Sequence, residues 1–245
     1  MGWKNTSVHP KLTTNSVHVW RSVIDQPSSS LRTLEKTLGP NESARAKVIQ
    51  SASERRRFIA AHGILRSIIG RYVGLPPRDV SFTYGLWEKP MLWSRGGVAL
   101  GFNMSHTDGL AIMAFTLERQ VGVDLERATR KCEIDQLAER FFSTHEKHSM
   151  LEHGSEGKRL AFYRIWTCKE ALAKASGEGL ARLFKGNNVL YRRGDSLRLR
   201  AAGHDVRKMS WSIVQFEPTS DYVSALAVEG SVGRIIGLNW RGASV

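Results

Sequence analysis

The chain has 245 residues, 41% of them hydrophobic and 24% charged, a make-up that excludes a disordered or collagen-like protein. Lysine and arginine total 36 against 23 aspartate and glutamate, and the formal charge of +13 attracts polyanions: nucleic acid, an anionic membrane surface, or an acidic or phosphorylated partner. Two cysteines, Cys132 and Cys168, exclude a disulfide scaffold or a four-cysteine zinc site, and no apolar run is long enough to cross a bilayer.

Met1–His18 is polar and lacks the apolar run of a secretory signal, so a soluble, cytoplasmic protein is expected. A loop at Gln26–Ser30 precedes short helices around Leu31–Leu38 and Glu42–Ile49. A stronger helix is predicted over Glu54–Val73, where Phe58, Ala61, Leu65, Ile68, Ile69 and Tyr72 recur at helical spacing. Ser53 is its expected N-cap, and Gly74 with Pro76-Pro77 stops it. Arg55, Arg56, Arg57, Arg66 and Arg71 decorate this helix, and solvent is the default destination for each.

Short β-like runs follow at Val80–Tyr84, Val98–Asn103, Gly109–Thr116 and Gln120–Leu125. Helix returns at Glu133–Arg140 and Gly157–Ser176, then strands at Asn188–Tyr191, Ser196–Arg200, Trp211–Phe216 and Tyr222–Val228. One constant shift superposes Thr107–Phe115 on Ser220–Val228 and Phe58–Ala61 on Ala171–Lys174. Helix then strands, twice, predicts an α+β fold of two helix-plus-antiparallel-sheet lobes, residues 1–118 and 119–245. No Gly/Ser/Pro-rich linker separates them, so the lobes share an interface.

Gly122-Val123-Asp124-Leu125-Glu126 places two carboxylates on one face of a strand, where they repel unless a basic neighbour or a hard divalent cation relieves them. Alone, such a pair is an ordinary exposed strand face. On a helix, Trp166, Glu170 and Lys174 share one stripe, and Glu170 would add a third carboxylate suited to magnesium and phosphate chemistry. Asn103-Met104-Ser105-His106 offers a hydroxyl and an imidazole, and Lys89-Pro90 a cation beside a rigid turn. His145-Glu146-Lys147-His148, with His153 beyond, does not match a zinc-binding helix and reads as a solvated segment.

These segments in order, with Arg57 and Arg66 on the basic helix, Arg140-Phe141-Phe142-Ser143, and Trp166-Thr167-Cys168-Lys169-Glu170-Ala171-Leu172-Ala173-Lys174, resemble the 4'-phosphopantetheinyl transferases of the Sfp type. The resemblance covers roughly residues 39–180. It implies a pseudo-dimer of two similar lobes in one chain, with coenzyme A between them. It also implies transfer of the phosphopantetheine arm to a serine of an acyl or peptidyl carrier protein.

By matching position, Asp124, Glu126 and Glu170 would hold Mg2+, Glu170 would deprotonate the carrier serine, and Lys174 would neutralise phosphate charge. Arg45, Arg57, Lys89, Ser105, His106, Asp124 and Lys174 would contact coenzyme A. A cation beside Glu170 is expected to lower its pKa. Glu88 stands where the family commonly has Gly before Lys-Pro. Trp166 and Ala171 match the broad Sfp-like branch rather than the siderophore branch.

An acidic carrier would suit the basic chain, with Lys131–Leu151 as its docking region and a monomer as the expected state. The rival readings are a basic nucleic-acid-binding protein, and a non-catalytic relative that binds coenzyme A. No zinc finger, helix-turn-helix or RNA-recognition signature supports the first, so no nucleic-acid partner and no membrane partner is expected.

Overall fold

Period-two alternation in the central strands sets the layering of the molecule. The computed structural model describes residues 1–5, 11–84, 89–92, 99–129, 132–152, 154–184, 189–193, 196–200 and 210–242. Glu88, Lys131 and His153 lie outside these described residues.

The N-terminal half contributes strands β1 (Trp3–Asn5) and β2 (Ser16–Val23), then helices α1 (Ser28–Glu35), α2 (Pro40–Val48) and α3 (Ala52–Val73). After a 3-10 turn at Pro77–Asp79 come β3 (Phe82–Tyr84), β4 (Pro90–Leu92), β5 (Leu100–Thr107), β6 (Leu110–Leu117) and β7 (Val121–Arg127). The C-terminal half adds α4 (Ile134–Phe141), α5 (Thr144–Leu151), α6 (Gly154–Ser176) and α7 (Leu180–Leu183). Strands β8 (Val189–Arg193), β9 (Ser196–Arg200), β10 (Trp211–Phe216), β11 (Tyr222–Glu229) and β12 (Arg234–Asn239) complete it. The α+β class expected from the sequence is the class observed.

One sheet runs β1-β12-β2-β6-β5 and a second runs β7-β11-β10-β9-β8. In the first, β12 lies parallel to both β1 and β2, while β2-β6-β5 is antiparallel; the sheet is therefore mixed rather than antiparallel as expected, and takes residues 234–239 from the half expected to form the other lobe. Trp20, Met113 and Phe115 point to one side and pack on Phe58, Ile64, Ile68 and Ile69 of α3. Their alternates Val17, Val19, Ile112 and Ala114 point to the other side and meet Val121, Val123, Leu125, Leu226 and Val228 of the second sheet. The opposite face of that sheet, through Ala225, Ala227 and Ile213, receives α6. The order is therefore helix, sheet, sheet, helix.

Helix α3 ends at Gly74 in the left-handed region (φ 69°), as its position in the sequence predicts. Its N-cap is Ser51 rather than the expected Ser53; the Ser51 hydroxyl accepts from the Glu54 N–H, three residues on. Arg66 is the exception to the solvent default. It is 4% exposed, ion-paired to Glu42, and donates to the carbonyls of Pro77 and Val80 at 3.0 and 2.8 Å. This arginine welds α2, α3 and the 3-10 turn together.

Candidate active site

The two sheets meet where β5, an edge strand of the first, runs beside β7, an edge strand of the second. Side chains bridge this seam. The Asn103 Oδ1 accepts from the Val123 N–H at 2.9 Å, and the Ser105 hydroxyl donates to Asp124 Oδ1 at 3.1 Å. Asn103–His106 lies inside β5, ahead of β6, and extends the expected strand Val98–Asn103, so Asn103 and Ser105 share the face turned to β7 and His106 takes the other.

Helix α6 completes the seam. Its Lys174 ammonium donates to Asp124 Oδ1 at 2.6 Å and to the Ser105 hydroxyl at 3.2 Å. Gly122 makes this approach possible, because a Cβ there would overlap the Ala171 carbonyl oxygen and the Ala175 backbone nitrogen. The glycine of the Gly-Val-Asp-Leu-Glu segment thus sets the strand-to-helix distance that lets Lys174 reach Asp124.

Asp124 is 4% exposed, and its Oδ2 is buried without a hydrogen-bond partner. Glu170, half-buried on α6, has its pKa raised by burial and then by the charge of Asp124, against Lys174. Without a bound cation, burial and the like charge of Asp124 outweigh Lys174; a divalent cation beside Glu170 would lower the value, as the sequence leads one to expect. Glu126 shares the Asp124 face of β7. Among the described residues, no three His, Cys, Asp or Glu side chains converge as a metal-holding group. Even so, an orphaned carboxylate oxygen and the mutual repulsion of Asp124 and Glu170 fit a divalent cation, whose preferred donors are carboxylate oxygens.

Beyond the seam lies a basic rim. The His106 pKa is pushed down to about 4 by desolvation and by His62, Lys174, Arg45 and Arg57 around it. Arg57 is held by Asp25 through two bonds of 2.7 and 3.0 Å. Arg45 lies over the Phe58 ring at 5.7 Å, and Arg45, Phe58, His62, Phe82, Phe102 and Met104 line a cavity of about 470 Å3. That volume suits a small molecule or cofactor.

His62 was not singled out in the sequence. Its place one helical turn after Phe58, whose ring it faces at 4.1 Å, was the available signal.

Lys89 donates to the Ala175 carbonyl at 2.7 Å and to Gln120 Oε1 at 2.9 Å, so it sits at the end of α6. Burial lowers its pKa to about 8, against the opposing pull of Glu229.

The family model of the 4'-phosphopantetheinyl transferase superfamily matches residues 120–227. The 4'-phosphopantetheinyl transferase HetI of Nostoc sp. is 39% identical over 224 residues, covering 90% of this chain and 92% of the relative. The chain belongs to the 4'-phosphopantetheinyl transferase superfamily. The 4'-phosphopantetheinyl transferase Sfp of Bacillus subtilis is 26% identical, over 59% of this chain and 62% of the relative. AcpT of Salmonella typhi, also a 4'-phosphopantetheinyl transferase, is 31% identical, over 58% of this chain and 70% of that protein. The stretch matched by the superfamily model holds Asp124, Glu126, Glu170 and Lys174, whereas Arg45, Arg57, Lys89, Ser105 and His106 precede it.

Proposed function

We infer that this transferase moves the 4'-phosphopantetheine group of coenzyme A onto a serine of an apo acyl or peptidyl carrier protein, releasing adenosine 3',5'-bisphosphate. The observation that carries the reading is the buried Asp124 carboxylate, held by Ser105 and Lys174 with Glu170 close enough to feel its charge.

The carrier serine oxygen forms a bond to the β-phosphorus as its proton passes to Glu170, directly or through water. The bridging P–O bond breaks, and adenosine 3',5'-bisphosphate leaves with the electron pair. Glu170, on α6 beside Asp124, is the carboxylate placed to take this proton. Lys174, between Asp124 and Ser105, neutralises charge on the pyrophosphate. Arg45, Arg57, Lys89, Ser105 and His106 bind the remaining phosphates and fix the attack geometry. Asp124, Glu126 and Glu170 would hold magnesium, which would supply Lewis-acid charge at the pyrophosphate.

The helix-sheet-sheet-helix order supports a pseudo-dimeric arrangement with coenzyme A at the β5–β7 seam, and hence a monomer. It is supported further by the constant shift, which maps β6 onto β11 and the first half of α3 onto the second half of α6. Among the described residues no helix is long and apolar enough to cross a membrane. For carrier docking, α4 and α5 present Leu151, 60% exposed, whereas Phe142 is buried and Phe141 is half-buried against Trp166. Docking therefore falls to the exposed residues of this region rather than to the two phenylalanines.

The deciding experiment is intact-mass spectrometry of an apo carrier incubated with the protein, coenzyme A and magnesium, beside Glu170→Gln and a chelator control. A gain of one phosphopantetheine arm that both controls abolish is expected. Coenzyme A binding with no gain on several carriers would point to the non-catalytic relative. Tight, salt-sensitive DNA binding with neither would revive the nucleic-acid reading.

A further inference from the structure

Lys169, next to Glu170, has no part in the chemistry above, yet it is one of the largest fully buried side chains in the molecule. Its ammonium is 3.0 Å from Glu146 Oε2, with side-chain exposures of 0% and 4%. The same Glu146 oxygen accepts from the Ser143 N–H at 2.8 Å, while the Ser143 hydroxyl accepts from the Glu146 N–H at 3.3 Å. One carboxylate thus caps α5 and grips the middle of α6. The sequence reading of His145–His148 as solvated is corrected at Glu146, which is 3% exposed. The rings of Phe184 and Phe142 flank the ammonium at 3.8 and 5.6 Å.

A buried ion pair is a poor way to gain stability, because two apolar side chains of similar volume commonly do as well or better. What it offers is direction: the ammonium has one favourable place, between one carboxylate and two ring faces. Consecutive helix residues are about 100° apart, so pinning Lys169 fixes where the neighbouring Glu170 points.

We propose that Lys169 is a positioning residue, whose ion pair with Glu146 locks α6 in the rotation that turns Glu170 toward Asp124. This rests on the transferase reading of the site. The pair removes the rotational slack that a wholly apolar contact between α5 and α6 would leave, and so holds Glu170 within reach of the serine proton and the metal.

The test uses Glu146→Gln/Lys169→Met in the full chain. No charge remains buried, Gln can still accept from the Ser143 N–H, and Met fills the space between the rings, so the melting temperature should stay within a few degrees of the parent. The expected result is a fall in kcat for carrier modification of about 10-fold or more, with KM for coenzyme A within about twofold. Mn2+ binding in the presence of coenzyme A, read by electron paramagnetic resonance, should weaken several-fold.

Glu146→Asp, which keeps the charge but shortens the reach, should do the same and decides the matter if the double variant fails to fold. A folded variant with parental kcat and parental Mn2+ affinity overturns the proposal. So does a loss of rate that only tracks the loss of folded protein in both variants. Should the parent modify no carrier, the transfer reading falls, while the Mn2+ titration still judges the ion pair.

Discussion

Asp124 illustrates how little of a site's chemistry rests in one side chain. Its Oδ1 takes Ser105 and Lys174, its backbone carbonyl accepts from the Ser224 hydroxyl at 2.5 Å, and its Oδ2 is left over. Asp124→Asn would keep the shape and remove the charge. Carrier modification should fall on the order of 100-fold or more, measured as initial rate by intact mass.

Lys89 gives a pH prediction. An ordinary lysine titrates at 10.5, but here burial brings the ammonium to about 8. With Lys89 as the proposed phosphate contact, only its protonated form would bind phosphate, so kcat/KM for coenzyme A, which reports the free enzyme, should decline as pH rises through about 8. Lys89→Arg, charged throughout, should flatten that decline. The same shift makes folding stability rise with pH between about 8 and 10.5, where the unfolded chain binds the extra proton.

At the scale of elements, Gly122 is the tightest joint. Gly122→Ala would push α6 off β7, costing about 1–3 kcal/mol by overpacking, or roughly 2–4 °C in Tm per kcal/mol for a chain of this size. Because α6 carries Glu170 and Lys174, thermal melting and transfer rate should fall together. The apolar spacing that predicts Glu54–Val73 predicts α3, and Ser196–Arg200 and Trp211–Phe216 coincide with β9 and β10. Those patterns are local.

The buried charges that were misread have partners distant in sequence. Arg66 is buried because Glu42 reaches it from α2, and Glu146 because Lys169 reaches it from α6. Hydrophobic periodicity has no term for a charge that finds its counter-charge inside. Likewise, Ser105 and His106, adjacent in sequence, serve the seam and the basic rim separately because a strand turns successive side chains to opposite faces. The motifs named Ser105, Asp124 and Lys174, which the structure brings into contact, but not that they touch.

For the molecule as a whole, the charge of +13 bears on encounter more than on catalysis. Raising salt from about 0.05 to about 0.5 M should increase KM for an acidic carrier several-fold and leave kcat nearly unchanged, since screening shortens the reach of the field below about 10 Å. Steady-state kinetics at the two salt levels would check this; a KM indifferent to salt would assign carrier recognition to contacts other than charge.

The placement of β12 has a different kind of consequence. This strand, residues 234–239, fills the gap between β1 and β2, so the sheet that begins at residue 3 lacks an interior strand until the opposite end of the chain arrives. On the ribosome, the half that is made first is finished last. Until residues 234–239 emerge, β2 offers an open edge to any passing strand, and the nascent chain must keep that edge for β12.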